Sequence, residues 1–332
     1  MCGPAGPHRV FPGPSVGGNV DTRAASKGDH GPLPLTGLLH LLVIYVVWGS
    51  TYLAIRVAVR EGSGFPPFTV GALRTLIGGA VLLGWAALRR QRVRPTRPEL
   101  VVLILSGLLL WLGGNGLVTW AETRAESGYA ALIIATIPIW VALMDAIVDR
   151  RLPPPLLIVS LAVGLAGIGV LSAPHLAGGD ARDVAALAAL LLAPFSWALG
   201  TVLQRRRPVG VVPQVSAAYQ QLFGSIGFFL VAWLLREPTP APTNEALLAW
   251  SYLVVLGSVV AFSSYVAALH LLPTRIVATY AYVNPVIAVL LGALILGEAI
   301  TAATLAGMAL VLLGVAGVFR ATYRPAPKPA VA

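Results

Sequence analysis

Ten long apolar runs punctuate the chain, and they fall into two sets of five. They begin near Leu38, Phe68, Val101, Gly128, Leu156, Val184, Pro213, Leu247, Arg275 and Thr301. A helix needs about 20 apolar residues to cross ~30 Å of hydrocarbon, so each run is a candidate membrane span. Five is odd. If residues 38–173 and 184–319 share one fold, the second unit must enter the bilayer from the opposite side. The expected fold class is therefore an all-α integral membrane protein, with ten transmembrane helices as a 5+5 inverted repeat. Such repeats place a polar site at their interface, near mid-membrane.

Charge is scarce and unevenly placed. Of 332 residues, 57% are hydrophobic and only 11% charged, whereas a soluble domain carries ~25% charged residues. A water-facing surface of normal size cannot be made from that, which argues against a large soluble helical protein. Outer-membrane β-barrels are set aside because their strands alternate in polarity over ~10 residues. The formal net charge of +10 would point a soluble protein toward nucleic acid. Here its placement answers differently. With the amino terminus taken as cytoplasmic, 17 of the 23 Lys and Arg fall on that side. They lie in the two tails and in the loops after even-numbered runs, among them Arg89 to Arg97, Arg150, Arg151, Arg205 to Arg207 and Arg275. The opposite loops hold Arg60, Arg124, Arg182 and Arg236, while Arg56 and Arg74 lie inside runs. The positive-inside rule then places both termini in the cytoplasm of a multi-pass protein in the inner or plasma membrane. The expected partners are the lipid bilayer and a small-molecule substrate, with no nucleic acid; a homodimer stays open.

Several chemistries have no carrier in the sequence. Cys2 is the sole cysteine, so neither a disulfide framework nor a thiolate metal cluster is encoded. His8, His30, His40, His175 and His270 are scattered and make no metal site. There is no GK[ST] phosphate loop and no G-x-S-x-G elbow. No cofactor and no enzymatic activity are expected. Residues 1–36 are rich in Pro and Gly and lack an apolar stretch, which reads as a disordered cytoplasmic tail rather than a signal peptide. Residues 320–332 read as a second cytoplasmic tail.

The polar residues inside the runs are the candidate substrate pathway. Tyr45, Trp48, Tyr52 and Arg56 recur at spacings of three and four, hence on one helix face. Such a stripe is either core packing or a pathway wall, and its terminal cation suits the wall. Arg74 lies about two turns into the second run, flanked by Gly71, Thr75 and Gly78. A central Arg costs ~2.5–3.5 kcal/mol on insertion scales, so it should face a cavity or a partner. It either fixes the packing of two helices or anchors an anionic group through forked hydrogen bonds. In the third run Trp111, Asn115, Thr119 and Glu122 share one stripe. Glu122 near its end is either an interfacial acid or, if cavity-facing, a proton-coupling carboxylate. Tyr280, Tyr282 and Asn284 precede Pro285, which removes a backbone donor and frees a carbonyl. Pro138 and Pro285 are the expected helix breaks. Trp197 in the sixth run and Gln220 in the seventh complete the set.

The two halves correspond only at punctuating residues. A shift of 147 lays Pro138 on Pro285 and Gly167 on Gly314; a shift of 149 lays Trp48 on Trp197; a shift of 146 lays Arg74 on Gln220. The strings YVVWGSTYLAIR (45–56), GNGLVTWAE (114–122), SWALGTV (196–202) and ATYAYVNPVIAVLLG (278–292) resemble the drug/metabolite transporter superfamily, in its ten-helix EamA-like branch. The resemblance covers about residues 38–319 and carries the family's WGS-type stretch onto Trp48, Gly49 and Ser50. It implies two EamA-like repeats, 38–173 and 184–319, forming a carrier that exports amino acids, metabolites or toxic organic compounds. One departure is visible. An acid often precedes the last helix of each repeat; the second repeat keeps it as Glu298 in LGEAIT, while the first reads VDRRLP.

The expected function is a secondary transporter working by alternating access between the two repeats. A polytopic membrane enzyme would need a nucleophile with a base, or clustered acids, at membrane depth; the acids inside the runs are Asp145 and the terminal Glu122. A channel or importer is the remaining alternative, and repeated charged rings are missing.

Overall fold

Prolines and polar caps decide where the helices begin. Pro67, Pro98, Pro155 and Pro213 sit in first turns, where the missing N–H costs nothing. Thr96 and Glu99 form a reciprocal capping box, and Asp180 and Thr243 accept first-turn amides. The computed structural model describes residues 34–150, 152, 154–177, 180–272, 274–277 and 279–322, and their regular structure is entirely helical. The tails expected at 1–36 and 320–332 lie outside the described residues, apart from 34–36 and 320–322, as do Arg151 and the Arg275 side chain.

Ten helices cross in sequence among the described residues: α1 (Leu35–Val59), α2 (Pro67–Leu88), α3 (Arg97–Ala121), α4 (Ser127–Val148), α5 (Pro155–Ala177), α6 (Ala181–Arg206), α7 (Pro213–Leu234), α8 (244–271), α9 (Tyr280–Leu296) and α10 (Ala302–Thr322). Their burial is that of a protein solvated by lipid. On α2, Leu76, Ile77 and Val81 point outward while Gly71, Arg74, Thr75 and Gly78 point inward.

The neighbours repeat. α2 packs on α7 and α5 on α10; α1 packs on α8 and α9, just as α6 packs on α3 and α4. Exchanging each helix for the one five places on leaves this pattern unchanged. Gly167 lies against Val311, and Gly314 lies against Gly164 and Ser160, so α5 and α10 meet almost backbone to backbone.

The described loops sort into two faces. On one, Arg206 pairs with Asp149 at 2.6 Å and Arg205 pairs with Asp145. There Glu99 also accepts from Gly210 N at 2.7 Å, and Tyr219 Oη donates to Val93 O at 2.9 Å. On the other, Arg60 pairs with Glu245 at 2.6 Å, and Arg124 pairs with Asp180 and Asp183 at 2.8 and 3.0 Å. There too, Ala241 N and Thr243 N donate to Gly64 O and Ser63 O, each at 2.9 Å. A Cβ at Gly64, whose φ is +68°, would lie 2.1 Å from Ala241 O, so this closure requires glycine. Two carboxylates cap helices of the opposite repeat. Glu237 accepts from Phe68 N and Thr69 N at 2.9 and 2.8 Å at the start of α2. Glu298 accepts from Ser127 N and Gly128 N at 2.8 and 3.2 Å at the start of α4.

Three helices depart from α geometry. Leu108–Gly116 in α3, Leu253–Val260 in α8 and Gly292–Leu296 at the end of α9 are π-helical, with turns wide enough to redirect side chains. The first two occupy matching places in the two repeats. α4 is interrupted between Ile134 and Ile137, directly before Pro138. Pro285, by contrast, lies inside the helix Tyr280–Leu291, which runs through it. The carbonyl it frees is that of Ala281, in the helix's first turn, so little regular structure is lost.

Candidate functional site

The two matching π segments converge on Arg74. Its side chain is only 5% exposed. Nε donates to Ser258 Oγ of α8 at 3.0 Å, and Nη1 reaches Asn115 Oδ1 of α3 at 3.5 Å. The guanidinium carbon stands 5.7 Å from the centroid of the Trp111 ring, within cation–π range. A Cβ at Gly257 would lie 3.3 Å from Nη2, so that glycine leaves room for the guanidinium. The ion pairs among the described residues do not include Arg74. It is a buried cation with neutral partners.

Gln221 joins this neighbourhood, in place of Gln220, the member of the polar cluster Tyr219, Gln220 and Gln221 that the sequence assigns to the pathway. Its amide is fully buried, with neither oxygen nor nitrogen hydrogen-bonded. A Cβ at Gly78 would lie 2.4 Å from Gln221 Oε1 and 3.0 Å from Ser258 Cβ, which sets all three side by side. Gln220 faces elsewhere: its Nε2 donates to Gln204 Oε1 at 2.7 Å and to Ser216 Oγ at 3.1 Å. The signal available in sequence was Gly78, the gap into which Gln221 fits. Trp111 packs edge-on against Trp197 at 6.5 Å. The Thr119 hydroxyl donates to Asn115 O at 2.8 Å, within its own helix.

The α1 stripe leads away from Arg74. Trp48 Nε1 donates to Gly257 O at 3.4 Å, and its ring packs on Tyr265 and Tyr280 at 5.1 and 5.3 Å. Tyr45 bonds Thr279 at the start of α9. Asn284 is buried with Oδ1 unpartnered, and its Cα lies 3.4 Å from where a Cβ of Gly49 would stand. Thus Asn115 is brought to Arg74, and Asn284 to Gly49 of α1. Tyr282 packs against a different cluster, which includes Tyr129 and Leu171. Tyr52 lies one turn beyond Trp48, within electrostatic reach of Glu122. Glu122 itself is completely buried, and neither carboxylate oxygen has a hydrogen-bond partner. Arg56 Nη1 donates to the main-chain carbonyl of Glu122 at 2.5 Å. Glu298, the acid that the second repeat keeps before its last helix, caps α4; in the VDRRLP of the first repeat, which departs from that pattern, Asp149 pairs with Arg206. Among the described residues no group of His, Cys, Asp and Glu could hold a metal ion.

Ten apolar helices that turn their polar groups inward around a guanidinium define a polytopic membrane protein with an interior polar site. The sequence profile of the EamA-like transporter family matches residues 35–173 and again 184–320. The chain belongs to that family, and it is a multi-pass membrane transporter for a small molecule. It is 34% identical to the inner membrane transporter YedA of Escherichia coli K12 over 308 residues, 90% of this chain and 95% of that one. The transporter YvbV of Bacillus subtilis 168 is 27% identical over 298 residues, 86% of this chain and 91% of that one. A protein of known crystal structure shares the fold, with a TM-score of 0.58 at 23% identity, covering 85% of this chain and 96% of that one.

Proposed function

We propose that the chain is a secondary carrier that exports amino acids, small metabolites or organic compounds by alternating access between α1–α5 and α6–α10. In this reading the two repeats are inverted and both termini are cytoplasmic, as the distribution of basic residues favours. Export is the direction that the family resemblance implies. The observation that carries the proposal is the buried Arg74 without a carboxylate partner. A central Arg costs ~2.5–3.5 kcal/mol to insert, and Ser258 and Asn115 satisfy it only with neutral groups. An anionic group on the cargo completes the set through charge-assisted hydrogen bonds. Trp111, Trp197 and Trp48 offer apolar surface to the rest of such a molecule.

The arrangement of closures fits a carrier between its two open states. Contacts between repeats tie both faces: Arg206 to Asp149 on one, Arg60 to Glu245 on the other. One set must release for the interior to meet water.

The test is flux in proteoliposomes loaded with proteinogenic amino acids together with aliphatic and aromatic monocarboxylates, counted by mass spectrometry. Wild type should release at least one of them, and Arg74→Ala should insert but release none. Arg74→Lys should recover little, because a point ammonium lacks the planar fork. Full recovery by Lys would show that charge alone suffices, and no flux of any compound would sink the carrier reading.

A further inference from the structure

The Gln221 side chain is fully buried, and both polar atoms of its amide lack a hydrogen bond among the described residues. Nearly all buried amides are paired, so one that is idle at both ends calls for a partner that comes and goes. Its polar neighbours are already committed. One turn away on α2 the Thr75 hydroxyl donates to Gly71 O at 2.8 Å, and one turn away on α7 the Ser225 hydroxyl donates to Ala72 O at 3.0 Å. Gln220, next in the chain, is turned to Gln204 and Ser216. Asn284 Oδ1 is also unpartnered, but it belongs to the contact of α9 with Gly49.

What sets Gln221 apart is the cation across Ser258. Ser258 Oγ accepts from Arg74 Nε at 3.0 Å. Ser258 Cβ and Gln221 Oε1 both crowd the point where a Cβ of Gly78 would stand. A guanidinium without an anion and an amide without a donor or an acceptor therefore flank one serine. With hydrogen bonds of about 2.9 Å at each end, a ligand bridges so short a gap when its two polar groups are neighbours on one molecule. A carboxylate with an O–H or N–H group on the adjacent carbon has that form. The carboxylate accepts from Arg74, the substituent donates to Gln221 Oε1, and Gln221 Nε2 donates to an oxygen of the same ligand. Every idle group is then satisfied at once.

We propose that Gln221 is the specificity-determining residue of the Arg74 site, selecting carboxylates with a hydroxyl or amino group on the adjacent carbon over the same acids without it. This rests on the carrier reading above and narrows its cargo. An unsubstituted acid answers Arg74 but leaves the amide buried and unpaired. A site built to hydrogen-bond a substituent rejects the analogue that lacks it far more sharply than an apolar pocket does. Selection here is by binding alone, and no covalent bond is made or broken.

Calorimetric titration in detergent tests this with two matched sets: leucine, leucic acid and isocaproic acid, then phenylalanine, phenyllactic acid and hydrocinnamic acid. In wild type at least one substituted acid of a set should bind about 100-fold or more tightly than the unsubstituted member. Gln221→Met, of similar length and without polar side-chain groups to pair, should bring that set within about tenfold. Gly78→Ala keeps the amide but puts a methyl group against its oxygen, so it should lower the same preference. A preference that survives both substitutions refutes the role. So does an equal loss of affinity for all members of a set, the mark of a residue that only packs α7 on α2. If wild type binds none of the six, the proposal falls even where the proteoliposomes release another compound. If the binding pattern is as expected and nothing crosses the bilayer, the carrier reading fails while the selectivity of the site stands.

Discussion

Arg74→Met separates a cargo anchor from a packing tie by the size of its effect on stability. The guanidinium has one good hydrogen bond, to Ser258 at 3.0 Å, a marginal one to Asn115 at 3.5 Å, and a ring contact at 5.7 Å. A hydrogen bond to a charged group contributes about 1.5–3 kcal/mol, and a desolvated cation–π contact adds about 2 kcal/mol at most. Against this stands the desolvation of the ion, several kcal/mol even after relaxation. Methionine fills most of the same volume and removes that cost, leaving Ser258 and Asn115 short of a partner at about 1 kcal/mol each. The two sides are of similar size, so the expected change is small, as when a buried ion pair is replaced by apolar residues of similar volume at little or no cost. Unfolding by sodium dodecyl sulfate in mixed micelles, followed by fluorescence of the 8 tryptophans, measures it. Flux should vanish in the same variant. A loss of about 3 kcal/mol or more, the cost of breaking a buried pair, would mean that Arg74 serves to hold α2 against α3 and α8.

Gly314→Ala should destabilise by about 1–3 kcal/mol, since its Cβ would meet Gly164 and Ser160 backbone atoms at 2.7 and 2.8 Å and none can rotate away. Gly169→Ala, on α5 with nothing within 4 Å, should be neutral or stabilising by up to about 1 kcal/mol; equal effects in the micelle assay would contradict the close α5–α10 packing. Reporter fusions after Arg94 and Thr322 should both read cytoplasm and one near Gly179 the exterior; an exterior signal at Arg94 would invert the topology.

The helices are legible because lipid demands long apolar runs, but several start ahead of those runs. α3, α6 and α8 begin at Arg97, Ala181 and Asn244, three or four residues before the runs that began near Val101, Val184 and Leu247. Their first turns hold the polar caps Thr96 with Glu99, Asp180, and Thr243, which an apolar count discards. α9 erred the other way: only the short turn Thr274–Val277 lies where the run began, and the span itself starts at Tyr280. The π segments of α3 and α8 were invisible, since a change in hydrogen-bond register leaves no mark on hydropathy. Arg74 was legible as a buried cation, but its partners Ser258 and Gly257 were not, because they lie more than 180 residues away. Gln220 and Gln221 show the limit at its finest: adjacent amides face different neighbours, and only the fold says which.

The caps exchanged between repeats have a consequence for how the protein is made. The amides that open α2 and α4 are satisfied by Glu237 and Glu298, and the Glu99 carboxylate waits for the amide of Gly210. During synthesis, which proceeds from the amino end at about 5–20 residues per second, five helices are already threaded into the bilayer before either partner acid leaves the ribosome. For that interval the nascent first half carries bare helix ends at the membrane surface. It is a half-finished lock, whose open helix ends are left to water until the last helices arrive.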